Sequence, residues 1–131
     1  LPRARQTAEI IRRDHACPMI VDARLNDRRS GFEGRPIDEY LAAAASDPLH
    51  FCAPGGESYL DLKMRVIAFL EELAQFDAGA VAVVTHHEVL QIVKGTLENF
   101  DDPDMWRIRV EPGAILAYEF DGSNRVRRGS G

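Results

Sequence analysis

Ala80-Val81-Ala82-Val83-Val84-Thr85-His86-His87-Glu88-Val89-Leu90 is the stretch that decides the fold class. Its small and β-branched apolar residues run without alternation, the pattern of a strand covered on both faces in a parallel sheet. The pattern predicts a strand over 80–85 and a helix from Glu88 to Leu97. In open α/β sheets ligands bind outside the carboxyl ends of the strands, and His86 stands at that point. A helix N-terminus there offers free N–H groups and a positive dipole end to an anion. The same histidine pair would also serve as a plain helix cap.

Outward from this corner, Arg3 to Arg13 carries Ala4, Ala8 and Ile11 at helical spacing, beside Thr7 and Ile10, and reads as a helix. Pro18 opens Met19-Ile20-Val21, a short strand, and Asp22 to Pro36 is a polar loop with Gly31 and Gly34. Ile37 to Ala45 is a short alanine-rich helix, followed by a loop from Asp47 to Gly56 punctuated by prolines and glycines. Ser58 N-caps the longest helix, which runs to about Phe76 and buries Tyr59, Leu62, Val66, Phe69, Leu70 and Leu73. Glu57 sits beside that cap, near the positive end of the helix dipole. Arg107 to Val110 and Ala114 to Phe120 read as strands joined through the turn Glu111-Pro112-Gly113, and Asp121-Gly122-Ser123 begins another hairpin turn.

The 131 residues make one domain with room for a real core. Hydrophobic residues at 45% and charged residues at 28% are ordinary for a soluble globular protein. A net charge of −5 argues against non-specific nucleic-acid binding, which needs a basic face. The arginines are local: Arg3, Arg5, Arg12 and Arg13, then Arg24, Arg28, Arg29 and Arg35. Each group is either a solvated face or part of a phosphate site. No stretch approaches the ~18 apolar residues of a membrane span, and no secretory signal pattern is visible. Cys17 and Cys52 lack CxxC spacing, so neither zinc nor a disulfide framework is indicated, and a reducing cytoplasm is the default expectation. A helix that begins at the second or third residue, with no strand or cap before it, reads as a cut inside a domain. The tail from Arg125 to Gly131 stops short or frays.

Leu1-Pro2-Arg3-Ala4-Arg5-Gln6-Thr7-Ala8 resembles the second motif of the histidine phosphatase superfamily, the phosphoglycerate-mutase-like proteins. Leu25-Asn26-Asp27-Arg28, with Gly31-Phe32-Glu33-Gly34, resembles that family's acidic loop. Pro54-Gly55-Gly56-Glu57-Ser58 with Arg65 resembles the opening of its long helix, and Val83-Val84-Thr85-His86 the strand that delivers its second histidine. The four segments keep the family's order over most of the chain.

The resemblance implies an α/β fold, a three-layer α/β/α sandwich incomplete at its N-terminus, with residues 1–131 forming the C-terminal two-thirds of one domain. It implies hydrolysis of small phosphomonoesters through a phosphohistidine, without cofactor or metal. Carried over residue by residue, Arg3 matches a phosphate-binding arginine and His86 the second catalytic histidine. Asp27 falls at the position of the proton donor, where the family usually has the longer glutamate. His87 stands where the family usually has glycine, and is either a substrate contact or a ring that points to solvent. The nucleophilic histidine belongs to an Arg-His-Gly motif after the first strand, and no Arg-His-Gly occurs here. His15 and His50 do not follow strands, so the 131 residues by themselves are expected to be inactive.

The chemistry of these residues is coherent by itself. A phosphomonoester dianion needs a preorganised cationic clamp. Arg3 can supply two parallel charge-assisted hydrogen bonds, and a protonated His86 can donate to a non-bridging oxygen. Asp27 can protonate a leaving alkoxide when a bound phosphate favours its neutral form, with Glu33 as the alternative acid. Read blandly, Arg3 is an exposed helix-start residue and Asp27 a turn residue. Three other functions compete: a non-catalytic phospholigand-binding or interaction domain, a phosphoglycerate mutase, and a metal site at His86, His87 and Glu88. The last lacks a helical HExxH spacing. Only about twenty residues separate Gly34 from Ser58, too few for the enclosing lid that mutase chemistry needs.

Overall fold

The computed structural model describes residues 2–76, 79–120 and the backbone of 126–128. Among the described residues five α-helices form in chain order: α1 Pro2–Arg12, α2 Ile37–Ala44, α3 Tyr59–Ala74, α4 His87–Leu97 and α5 Asp102–Arg107. A single 3₁₀ turn, Ala23–Leu25, lies between α1 and α2, and β1 Tyr118–Phe120 with β2 Val126–Arg128 follows α5. The two strands pair antiparallel, Tyr118 opposite Arg128 and Phe120 opposite Val126. The turn expected at Asp121-Gly122-Ser123 and most of the Arg125–Gly131 tail lie outside the described residues.

The core is where α3, α4 and α5 meet. Tyr59, Leu62, Val66 and Leu70 from α3 pack with Val89 and Ile92 from α4, and with Met105 and Ile108 at the end of α5. Of the stripe expected on α3, Phe69 and Leu73 are only partly buried. Ser58 caps α3 as expected and does so reciprocally: its hydroxyl accepts from Asp61 N, and the Asp61 carboxylate accepts from Ser58 N, both at 3.0 Å. The ring of Tyr59 meets Trp106 edge-on at 4.7 Å. Between them Gln91, itself buried, accepts from the Tyr59 hydroxyl at 3.2 Å and donates to the carbonyls of Ile108 and Trp106 at 2.6 and 3.2 Å.

The strand expectations need correction. Residues 80–85 and 19–21 enter no ladder among the described residues, and Val81 is 48% exposed where a strand covered on both faces was expected. Apolar runs report side-chain burial, whereas a strand also needs a neighbour whose N–H and C=O groups match its own. Arg107–Val110 is no strand either. Asp101 caps a helix there, its carboxylate accepting from Asp104 N at 2.8 Å, with Pro103 in the first turn. Of Ala114–Phe120 only the last three residues pair. The turn before them forms as expected: Ala114 N donates to Glu111 O at 3.0 Å, and Gly113 takes the positive φ of 79° that suits glycine at its third position. Helix α1 has no buried residue, and Ile10 and Ile11 stay exposed.

Candidate functional site

His86 is the residue before the first turn of α4, with φ −115° and ψ 165°, and its side chain makes no capping bond. The imidazole is therefore not consumed by the helix end and stays available at the positive pole of α4. Burial and nearby charges both act on it. Burial lowers the His86 pKa below its ordinary 6.5; the Asp27 carboxylate opposes that, and the Arg3 guanidinium adds to it. Asp27 and Arg3, up to 83 positions away in the chain, thus both lie within electrostatic reach of His86. His87, at the first position of α4, is exposed beside them.

Next to His86 opens a groove of about 440 Å³, lined by Pro2, Arg5 and Ala8 of α1, by Met19, Ile20 and Val21, and by Val84. Its walls are α1, the two apolar runs that enter no ladder among the described residues, and Asp22, Leu25 and Asn26 from the start of the acidic loop.

The loop that carries Asp27 is held from three sides. Thr85, next to His86, donates through its hydroxyl to Leu25 O at 2.7 Å. Arg65 of α3 donates to the carbonyls of Arg24 and Asn26 at 2.7 Å each and to Asp27 O at 3.2 Å. Arg28, its side chain only 5% exposed, makes a two-pronged pair with Glu88 in the first turn of α4, at 2.7 and 3.0 Å, and also reaches the Tyr40 hydroxyl. The Asp27 carboxylate itself folds back on Arg28 N at 3.0 Å. Gly56 lets the next loop lie against this one, since a Cβ there would stand 2.8 Å from Ser30 O and 2.9 Å from Arg29 O.

Glu33, the alternative acid, is occupied elsewhere. Its carboxylate closes its own loop, accepting from Ser30 N at 2.8 Å and Gly31 N at 3.3 Å, and its own backbone N–H, then those of Gly31 and Ser30, hold its pKa below the ordinary carboxylate value. The second arginine group does not converge on an anion site as the sequence allowed. Arg24 pairs with Asp22 and Glu72, Arg28 with Glu88, and Arg35 with Glu39 while lying over the Phe32 ring. Phe32, Tyr40 and Phe51 form a contiguous aromatic cluster between the acidic loop and α2. Among the described residues, no three His, Cys, Asp or Glu side chains converge closely enough to hold a metal ion, so His86, His87 and Glu88 do not make one site. No described helix is long and apolar enough to cross a membrane.

The sequence reading overlooked the pairing of Arg28 with Glu88 and the grip of Arg65 on the loop. Glu57, read there as a helix-start residue, instead faces Arg65 at 2.6 Å.

Comparison with known proteins bears on the fold and the family. The alpha-ribazole phosphatase of Shigella flexneri matches with a TM-score of 0.86 at 22% identity, over 98% of this chain and 68% of that one. Bacillus stearothermophilus YhfR matches with a TM-score of 0.80 at 25% identity, over 96% of this chain and 67% of its own. A mycobacterial glucosyl-3-phosphoglycerate phosphatase solved with inorganic phosphate matches with a TM-score of 0.76 at 20% identity, over 98% and 71%. No curated protein matches the chain. The fold is therefore the α/β/α sandwich of these proteins, of which the chain spans somewhat over two thirds of the length. A family model described as histidine phosphatase superfamily, branch 1, matches residues 1–129, and the chain belongs to that family.

Proposed function

We propose that the chain is the larger part of a phosphomonoester hydrolase domain that works through a phosphohistidine. What supports this reading is His86 at the N-terminus of α4, uncommitted to capping and within electrostatic reach of Asp27 and Arg3. Arg3 grips two phosphate oxygens and His86 donates to a third, its protonated form favoured once the dianion is bound. An upstream imidazole attacks phosphorus as the bond to the alkyl oxygen breaks. Asp27 gives its proton to the departing alkoxide, then takes one from the water that cleaves the phosphohistidine and releases phosphate. Asp27 is favoured over Glu33 as the acid because Glu33 is held in its ionised form by its own loop. His87, exposed on the rim, contacts the remainder of the substrate.

The nucleophile is assigned to sequence upstream of Leu1, and residues 1–131 to the C-terminal two-thirds of a single domain. The groove beside His86 suits that strand: the runs 19–21 and 80–85 enter no ladder among the described residues, and a strand between 19–21 and Val84 would end next to the imidazole. Substrates are small phosphomonoesters of the kind named for the neighbours, an alpha-ribazole phosphate or a phosphorylated glycerate derivative. Hydrolysis is favoured over mutase chemistry because the short α2 with its loops makes no enclosing lid. A cytoplasmic setting suits the free, exposed Cys17 and Cys52.

The test is an assay of the full-length protein and of residues 1–131 on p-nitrophenyl phosphate and on 3-phosphoglycerate. Phosphate release by the full-length protein, lost in His86→Ala and Arg3→Ala and absent from residues 1–131, is the expected result. Turnover by residues 1–131 would place the nucleophile elsewhere. Phosphate binding without turnover by the full-length protein would make it a binding domain, and interconversion of phosphoglycerates without phosphate release a mutase.

A further inference from the structure

Four consecutive carbonyls, those of Arg24, Leu25, Asn26 and Asp27, accept hydrogen bonds from side chains of distant elements. Three of the four are served by Arg65 alone. A surface loop normally leaves such carbonyls to water, and one guanidinium aimed at three of them fixes the backbone direction of the whole loop. Arg65 is in turn held by Glu57, whose carboxylate accepts from its Nη2 at 2.6 Å and its Nε at 3.2 Å. Burial alone would raise the Glu57 carboxyl, but the bonds from Arg65 and from Arg29 N outweigh it and keep it ionised. The clamp is thus a chain from Glu57 through Arg65 to the peptide groups on either side of the Asp27 side chain. Because Asp27 is one methylene shorter than a glutamate, its reach depends more closely on where its backbone lies.

We infer that Arg65 is a positioning residue that sets the backbone of Asp27 for proton delivery to the leaving group, with Glu57 as its anchor. The inference rests on the phosphatase reading and on Asp27 as the acid. The Arg65 guanidinium is committed to Glu57 and to three carbonyls. Its fork of donors is what bridges several carbonyls, which a lysine ammonium on a flexible stem does not reproduce.

The experiment compares two substrates in the full-length protein. An alkyl ester such as glycerol 2-phosphate needs a proton on its leaving oxygen, whereas p-nitrophenolate departs without one. Arg65→Met should lower kcat/KM on the alkyl ester by about 100-fold, the lower range for loss of a general acid. On p-nitrophenyl phosphate kcat/KM, which reports the steps up to phosphorylation and not the later hydrolysis in which Asp27 also serves, should fall less than about 5-fold. Inhibition by inorganic phosphate should change little, since phosphate binding stays with Arg3 and His86. Arg65→Lys should recover little of the loss. Glu57→Gln, which keeps the Arg65 side chain and perturbs the fold less, should show the same selectivity at smaller amplitude. Asp27→Asn should match Arg65→Met and add little to it in the double variant. Equal losses on both substrates in Arg65→Met and Glu57→Gln would overturn the inference, leaving Arg65 a merely structural residue, and so would no loss on the alkyl ester. Hydrolysis of neither ester by the unmodified protein would instead defeat the phosphatase reading itself.

Discussion

Glu88→Ala tests the buried pair that ties the acidic loop to the histidine helix. The Arg28 side chain is 5% exposed and carries its charge between Glu88 and the Tyr40 ring, whose centroid lies 4.6 Å from the guanidinium carbon. Removing Glu88 leaves that charge in place with only the Tyr40 hydroxyl and ring as partners. Breaking such a buried pair costs about 3 kcal/mol, toward the lower end of the usual range because Glu88 itself keeps some exposure. For 131 residues an unfolding entropy of about 2.1 cal/mol/K per residue makes each kcal/mol about 3.6 °C, so Tm should fall by about 11 °C. Glu88→Gln keeps an acceptor and should cost less than half as much, about 1 kcal/mol. The assay is differential scanning calorimetry or urea melting of the variants alongside Arg28→Met and the double variant Arg28→Met with Glu88→Leu. The double variant should recover most of the stability lost in Glu88→Ala, because no unpaired charge remains inside. A loss under about 1 kcal/mol in Glu88→Ala would show that Arg28 reaches water as an ordinary surface arginine does, and the reasoning would fail.

Gly56→Ala should destabilise by about 1–3 kcal/mol in urea melts, because its Cβ would press on backbone atoms of Arg29 and Ser30 that have no rotamer to escape into; an unchanged midpoint would mean the two loops are not in contact. Asp22 and Glu57 have lowered carboxyl pKa values, with hydrogen bonds and charge from Arg24 and Arg65 outweighing burial, so their contribution is present above 3.8 and 4.5 and is lost as pH falls below those ordinary values. His86 also has a lowered pKa, so the unfolded chain binds its proton more readily, and its contribution is lost as pH falls from 6.5 toward the folded value. Urea melts between pH 7.5 and 5 should show a decline that His86→Gln flattens; an identical slope in the variant would dismiss the shift. Phosphatase activity of the full-length protein should survive EDTA, and its loss would revive a metal role for His86, His87 and Glu88.

What could be read in advance was local. The Ser58 cap, the stripe on α3 and the Glu111-Pro112-Gly113 turn are set by residues within a few positions of one another, so spacing alone reveals them. Helix α5 was equally local, and the signal was present in Asp101-Asp102-Pro103-Asp104, an N-cap followed by proline and acids in the first turn, but the β-branched residues after it suggested a strand. Pairing was not legible. Whether 80–85 and 19–21 form a sheet depends on which chain lies beside them, and apolar composition says only that they avoid water. Arg28 and Glu88 lie 60 positions apart, and Arg65 lies 38 from Asp27, separations at which charge pattern carries no signal. His86 was visible because its corner, strand-like residues turning into a helix, is written in adjacent residues. Its grouping with Arg3 and Asp27 rests on the family resemblance, since residues 59 and 83 positions away carry no spacing signal.

Gln91 gives helix α4 a single compass bearing. Turning the helix by one residue, about 100°, would pull its amide away from the Tyr59 hydroxyl and from two carbonyls at the end of α5. Each group stranded in that dry interior would cost about 1–3 kcal/mol, whereas an all-leucine contact would tolerate intermediate rotations. His86 lies five positions upstream, the N-cap residue whose carbonyl accepts from Leu90 N at 3.0 Å and so is tied to the same helix. The heading of an imidazole at the surface is therefore dialled by an amide in the middle of the core, and the helix transmits it as a shaft does.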